Sequence, residues 1–173
     1  MNEVLNCLET RRSVRKYLPK QITDAELNAI LEAGIYAPTA MGRQSPKIVV
    51  LQKPEDIAEL ERMNAAVLGN PAAHPFYGAP TVLVVLADAK AGTAVEDGSL
   101  VLGNLMNAAH ALGVGSCWIH RAREEFASDE GKALLKRWGI EGDWIGVGHC
   151  ILGYAAEPAA PARPRKADYI VRV

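Results

Sequence analysis

Arg11-Arg12-Ser13-Val14-Arg15-Lys16-Tyr17 places four cations and a hydroxyl in six consecutive positions of a chain whose formal net charge is -1. Guanidinium forks take phosphate oxygens in pairs, and a serine hydroxyl adds a further donor, so the cluster suits a phosphate monoester. It follows Val4-Leu5-Asn6-Cys7-Leu8, whose apolar spacing fits one face of a helix. The cations are therefore expected at the exit of that helix, with alternate side chains turned toward one ligand. The competing reading is a solvated basic patch. Two later stretches, Ala37 to Pro46 and Ala162 to Lys166, weigh against it.

Working outward, 173 residues suit one domain, residues 1–173, and 49% hydrophobic residues are enough for a real core. A chain this close to neutral has no bulk electrostatic pull toward nucleic acid or an acidic membrane. Cys7, Cys117 and Cys150 form no CxxC pair and leave an odd one over, which favours a reducing compartment over a disulfide scaffold. Glu3, Asn6, Glu9 and Thr10 interrupt any signal-peptide core, so a cytoplasmic setting is expected. Ser99 to His120 carries no formally charged side chain and is long enough to span a bilayer. Its Gly103, Asn104, Asn107, His110, Gly113 and Gly115 better suit a helix buried on nearly all sides, in a core or a subunit interface.

Along the chain, Thr23 and Glu26 form a capping box ahead of Leu27, Ile30, Leu31 and Ile35 at helical spacing. Pro38 ends that helix. Pro38 to Pro46 reads as a loop, and Ile48 to Leu51 as a buried strand. Pro54 opens a helix whose apolar face carries Ile57, Leu60 and Met63 or Val67. Gly69 to Pro75 is a loop with little to hold it in one shape. Thr81 to Ala87 is continuously apolar, as a central strand covered on both faces would be. A long helix follows from about Val95 to Leu112, stopped at Gly113. Ser116 to Ile119 is a short strand or extended edge. Ser128 caps a helix that runs to Trp138, and Trp144 to Leu152 is a strand in which Gly146 and Gly148 invite close approach. Glu157 to Pro164, rich in proline and alanine, crosses the surface extended and delivers Arg165, Lys166 and a short strand-like tail, Tyr169 to Val171.

Much familiar chemistry is missing from the sequence. No GxGxxG follows a predicted strand, and there is no GxxxxGK[ST] loop or GxSxG elbow. The histidines at 74, 110, 120 and 149 lack metal-ligand spacing, and His110 reads as a hydrogen-bonded core residue. Cys117 has no evident base and reads as an inert thiol. An enzyme of this sequence would leave the chemistry to a cofactor.

Taken together, Arg11 to Arg15, Ala37-Pro38-Thr39-Ala40-Met41-Gly42-Arg43-Gln44, Phe76-Tyr77-Gly78-Ala79-Pro80 before a strand, Asp97 at a helix start, Ala111-Leu112-Gly113-Val114-Gly115-Ser116-Cys117-Trp118, and Arg165-Lys166 form an ordered pattern. Over nearly its whole length the chain resembles the nitroreductase family of flavin enzymes, in one of its short members. The resemblance implies an α+β fold: a central mixed, mostly antiparallel sheet flanked by helices, in an intertwined homodimer. It implies two FMN molecules, each at the subunit interface and touching both chains.

The resemblance also implies roles for residues. Arg11, Arg12 and Ser13 would hold the FMN phosphate and ribityl chain, with Arg165 and Lys166 closing on the phosphate. Arg15 would approach the pyrimidine end of the ring. Pro38, Thr39, Ala40 and Met41 would come from the partner chain along the isoalloxazine, with Gln44 near the ring or ribityl. Ser116, Cys117, Trp118 and Ile119 would run beside the flavin and offer backbone donors. Gly42 stands where many relatives have asparagine, Ser45-Pro46 where many have Pro-Trp, and His120 where a small residue is common. The activity implied is ping-pong hydride transfer from NADH or NADPH through FMN to a small electron-poor acceptor such as a nitroaromatic or quinone. The alternative is a flavin carrier or sensor without turnover. A nucleic-acid reading of Arg11 to Lys16 lacks stacking aromatics and an overall basic balance.

Overall fold

The computed structural model describes residues 2–173. In chain order the elements are α1 (Glu3–Thr10), α2 (Asp24–Ile35), a 3-10 turn at Ala40–Gly42, β1 (Pro46–Leu51), α3 (Pro54–Val67), β2 (Thr81–Asp88), α4 (Ala94–Ala111), β3 (Gly115–Ile119), α5 (Ala122–Ala127), α6 (Asp129–Arg137) and β4 (Trp144–Gly153). The helix starts follow local chemistry. The Asn2 side chain accepts from the Val4 N–H at 2.9 Å. Thr23 and Glu26 form the reciprocal capping box ahead of α2. Pro54 occupies the first turn of α3, and Ser128 Oγ accepts from the Gly131 N–H at the start of α6. Gly113, at φ +74°, closes α4 in the left-handed region.

The four strands form one sheet in the order β1-β2-β4-β3, each pair antiparallel. Parallel pairing among the described residues is confined to an isolated bridge of Ser13 with Ser116. β2 is buried from Thr81 to Ala87. Its Leu83, Val85 and Ala87 pack with Ile30, Leu102, Leu105 and Ala109 of α2 and α4. Its Val82, Val84 and Leu86 pack on the opposite layer with Leu60, Phe76, Phe126 and Leu134. The sheet thus lies between two helical layers, as the continuous apolarity of β2 requires.

β4 carries one extra residue against β2: Val85 faces Gly148, whereas Leu86 faces Gly146. Val147 is the bulged residue, packed in the α4 layer. Both flanking glycines permit close approach. A Cβ on Gly146 would sit 2.1 Å from the Ala122 carbonyl oxygen, and one on Gly148 would sit 2.6 Å from Trp118 Nε1.

Two sequence expectations change, a third concerns the surface left for a partner, and one helix was not foreseen. Tyr169 to Val171 form no strand and lie exposed. The Gly69 to Pro75 loop is pinned rather than loose. The Asn70 N–H bonds the Ala65 carbonyl at 3.1 Å, the Phe76 N–H bonds Glu61 Oε1 at 2.8 Å, and the Phe76 ring is buried. Within the chain α4 is covered along one side, at Val101, Leu102, Leu105 and Ala109, while Val95 and Leu100 are exposed, as a face kept for a subunit interface would be. α5 was not foreseen, because six residues are too few for a helical period to register.

The Gly146–Ala122 contact gives a direct check. Gly146→Ala forces β4 and α5 apart or strains both, and should lower stability by roughly 1–3 kcal/mol. Denaturant unfolding should show a lower midpoint with an unchanged slope.

Candidate functional site

The basic stretch does not trail into solvent. It runs beside the sheet edge that β3 provides, with the Val14 N–H bonding the Ser116 carbonyl at 2.9 Å and the Leu18 N–H bonding the Tyr154 carbonyl at 2.9 Å. The Tyr17 hydroxyl donates to the Val14 carbonyl at 2.8 Å. This fixes where each cation goes. Arg12 turns one guanidinium nitrogen, Nη1, back onto the end of α1, donating to the Glu9 and Arg11 carbonyls at 2.8 and 2.7 Å. Lys16 pairs with Glu157 at 2.9 Å on the surface. Arg15 is exposed and forms no ion pair among the described residues.

Arg11 differs from the other three. Its Nη1 is buried with no hydrogen-bond partner, and the Ser116 hydroxyl, across the Ser13 bridge, is buried and equally unpartnered. Buried polar groups are nearly always paired, so two orphans on one strip call for an acceptor-rich ligand. Beyond Ser116, the outer edge of β3 takes no backbone bond from another segment among the described residues. Cys117 and Ile119 point into the α3–α5–α6 layer and Trp118 into the α4 layer. What Ser116 to Ile119 present at the edge is therefore backbone. Ser13, Arg15, Lys16 and Glu157 line a hollow of about 210 Å³ beside this edge.

The second group of candidates, Pro38 to Gln44, is organised by Asp97 in the first turn of α4. Asp97 Oδ1 accepts from the Ala40 N–H at 3.0 Å. Its Oδ2 accepts from Ser45 Oγ at 2.8 Å and Thr93 Oγ1 at 3.2 Å. Burial works to raise the pKa of this carboxyl; the three donated bonds outweigh it and hold the group below its ordinary value. Within the loop the Gln44 N–H bonds Thr39 Oγ1 at 3.0 Å. Met41 and Gln44 both lie at positive φ, +55° and +52°, a conformation that persists only where the surroundings enforce it. Met41 is 85% exposed at the tip. Thr39 and Gln44 border an apolar cavity of about 330 Å³ with Leu31, Ile35, Ile48 and Val101.

Within one chain these two groups stay apart. Asp97 holds the loop at the start of α4, while His110, in its last turn, contacts Thr10 beside Arg11 at 2.9 Å. Thirteen residues of helix at about 1.5 Å each set them about 20 Å apart. Arg165 and Lys166 lie on the exposed tail and line one hollow with Tyr169 and Ile170. Sequence reading missed Ser45 and Thr93 as partners of Asp97, and Thr10 as the partner of His110. His110 is partly buried rather than a full core residue.

A further buried polar set lies on the other face of the sheet. Glu125 and His149, both fully buried, approach at 2.6 Å between Oε2 and Nε2. Asn64 Nδ2 donates to Glu125 Oε1 and to the His120 carbonyl, and Arg121 Nε donates to Asn64 Oδ1 at 3.0 Å. The Phe76 ring meets the His149 ring edge-on at 5.4 Å between centroids. This set ties α3, α5 and β4 together. Cys150 is fully buried, and burial pushes its thiol up, away from the reactive thiolate.

A sequence profile of the Nitroreductase family matches residues 8–154. A protein of Archaeoglobus fulgidus with the provisional name NADH dehydrogenase/NAD(P)H nitroreductase is 31% identical over 159 residues, 89% of this chain and 86% of that protein. The FMN-bound crystal structure of a nitroreductase from Bacteroides fragilis superposes with a TM-score of 0.91 at 33% identity, covering 100% of both chains. An FMN-bound nitroreductase from Desulfitobacterium hafniense gives 0.90 at 29% identity, over 100% of this chain and 99% of that one.

Asp97→Asn tests the loop anchor. The amide keeps one acceptor and loses the charge, so it should cost roughly 1.5–3 kcal/mol, the range for bonds to a charged group. A carboxyl held below its unfolded pKa stabilises the fold above that unfolded value, about 3.9, and the contribution is lost as pH falls through the folded value. The stability difference between wild type and Asp97→Asn should therefore shrink on acidification through that window, as read by denaturant midpoints.

Proposed function

The chain belongs to the nitroreductase family, and on that footing we propose that it is an FMN-dependent NAD(P)H oxidoreductase. It takes a hydride from NADH or NADPH and passes two electrons to a small electron-poor acceptor, a nitroaromatic, a quinone or a similar compound, at one shared site in a ping-pong cycle. The observation that carries this reading is the pair of buried, unpartnered polar atoms, Arg11 Nη1 and Ser116 Oγ, beside the open edge of β3. A phosphate monoester on a flexible polyol, joined to a flat ring rich in acceptors, fits that donor set. FMN-bound relatives of the same fold support the choice of cofactor.

FMN, when bound, supplies the two-electron chemistry; the chain binds it, orients it and sets its electrostatics. Arg11, Arg12 and Ser13 take the phosphate and ribityl end, and Arg165 and Lys166 close on it from the tail. Arg15, with no ion-pair partner of its own among the described residues, meets the pyrimidine end. The backbone of Ser116 to Ile119 lines one side. Residues 1–173 act as one domain. The three cysteines, all free thiols, fit a reducing, cytoplasmic setting.

A second copy completes the site. The Pro38–Gln44 loop and the Arg11 strip are separated by the length of α4, so one small ligand cannot bridge both within a chain. A twofold partner supplies Pro38, Thr39, Ala40, Met41 and Gln44 to the other chain's Arg11 strip. The surfaces suit this. α1 buries no residue, leaving Val4, Leu5 and Leu8 exposed, and α4 leaves Val95 and Leu100 exposed. Apolar faces of this kind are typical of obligate homodimer interfaces.

The purified protein should release FMN on denaturation, and its bound flavin should bleach with NADH or NADPH under anaerobic conditions. Bound flavin that stays oxidised would instead indicate a carrier without turnover. Arg11→Ala should weaken FMN binding by roughly tenfold or more, since a charge-assisted hydrogen bond is worth about 1.5–3 kcal/mol, with little change in potential. Arg15→Ala should lower the FMN potential by tens of millivolts, about 30 mV for each 1.4 kcal/mol. The reason is that a cation at the pyrimidine end favours the reduced, more negative form over the oxidised one. Redox titration of both variants separates the two roles.

A further inference from the structure

Thr10, the last residue of α1, meets His110 in the last turn of α4, with Oγ1 and Nε2 2.9 Å apart. The Thr10 hydroxyl gives its proton to the Asn6 carbonyl at 2.7 Å, the back-bond of a helical threonine. The hydroxyl oxygen must then accept from His110, so Nε2 carries the ring proton and Nδ1 is the only position that can take another. Burial is the largest influence opposing that second proton, and the neighbouring Arg11 and Arg12 cations add to it, so His110 is held below its ordinary pKa. The C-terminal turn of α4 pulls the other way, because helix carbonyls favour a cation there.

The remaining neighbours add no counter-charge. α1 contributes Glu3, Cys7 and Glu9. Glu3 lies two turns from Thr10, about 10 Å along the helix, and Cys7 is engaged with the Asn107 carbonyl at 3.3 Å. β3 carries Cys117, facing the other layer, and β4 carries the protonated thiol of Cys150. α2 meets this side of α4 through the Ala33 carbonyl, which accepts from Asn104. Among the described residues, no carboxylate pairs with His110, Arg11 or Arg12.

We propose that His110 is the third cation of the anion-binding end: neutral in the flavin-free protein at neutral pH, it takes up a proton at Nδ1 when a phosphate monoester settles on Arg11 and Arg12. The inference rests on the FMN reading above. The phosphate supplies the counter-charge that the two arginines lack: it offsets their share of the opposition to the second proton and adds an attraction of its own against the share that burial contributes. Binding of the phosphate and binding of the proton then favour each other, as linkage requires.

Histidine ring proton NMR on the flavin-free protein tests this, with FMN and riboflavin as the two probes. The His110 signal is identified by its loss in His110→Gln, whose amide nitrogen keeps the donor to Thr10. FMN should raise the titration midpoint of His110 by about one pH unit, the size expected for a nearby opposite charge; riboflavin, lacking the phosphate, should leave it in place. The ratio of FMN affinities, wild type over His110→Gln, should rise a few-fold between about pH 8 and about pH 6 and approach tenfold only below the flavin-free midpoint, and taking the ratio cancels the phosphate's own titration. If FMN binds and the midpoint stays or falls, the role of His110 is wrong while the FMN reading stands. An equal rise with riboflavin would trace the effect to the ring and overturn the proposal. Failure of FMN to bind at all would overturn both readings.

Discussion

β2 has no face left for solvent. Every side chain from Thr81 to Ala87 is covered, which forces a helical layer onto each side of the sheet and makes the strand the fixed reference for everything else. α4, at 18 residues, lies across one of those layers, and its two ends gather the polar groups of the two candidate halves. Asp97 and Thr93 collect the Ala40–Ser45 turn at one end. Thr10, Arg11 and the Ser116 edge gather at the other. The separation of the two candidate halves is thus set by the length of a helix that the core itself holds in place.

The two ends store free energy in different forms. At the Arg11 end it is unmet hydrogen bonding: a buried donor without a partner costs about 1–3 kcal/mol, more when charged, which favours a ligand bearing acceptors. At the Asp97 end it is backbone strain. Met41 and Gln44 sit in the left-handed region without being glycine, at a cost on the order of 1–3 kcal/mol each. Three donors converging on a buried carboxylate offset that cost and hold the exposed Met41 tip in one position. Lys16 and Arg12 show the opposite case: each has a protein partner for at least one of its donors, and so a less urgent claim on a ligand.

Helices and strands longer than about eight residues were legible in the sequence because their periods and caps lie within a few residues. The Thr23–Glu26 box, Pro54, Ser128 and Gly113 all act where the sequence places them. The Arg11–Lys16 cluster was legible as a concentration of cations, but not in its division of labour, which depends on Glu157, 141 residues away, and on the carbonyls at the end of α1. Contacts of that separation leave no local trace. The same holds for the Gly69–Pro75 loop, read as loose from its glycine and prolines yet pinned by Glu61 and the buried Phe76. It holds again for Asn64, Glu125 and His149, drawn from three elements into one buried set. The exposed side of α4 fits the subunit-interface form of the sequence reading: an uncharged run states that a surface will be covered, not that its own chain will cover it.

That last point bears on stability. In the proposed assembly the flavin touches both chains, so it binds the paired form and not the separate one. Such a ligand adds RT ln(1 + [L]/Kd) to the pairing free energy, about 4 kcal/mol when free ligand exceeds Kd a thousandfold. The apolar surface left open on α1 and α4 supplies the remainder without needing to suffice alone. On the same argument the strained Met41 turn becomes useful. A loop that must meet the neighbouring chain's ligand gains affinity by being fixed beforehand, because the ordering entropy is already spent when the chain folds. In that proposed assembly Asp97 would act at a distance from its own chain's anion site: by fixing the turn on one copy, it would prepare the ring contact on the other.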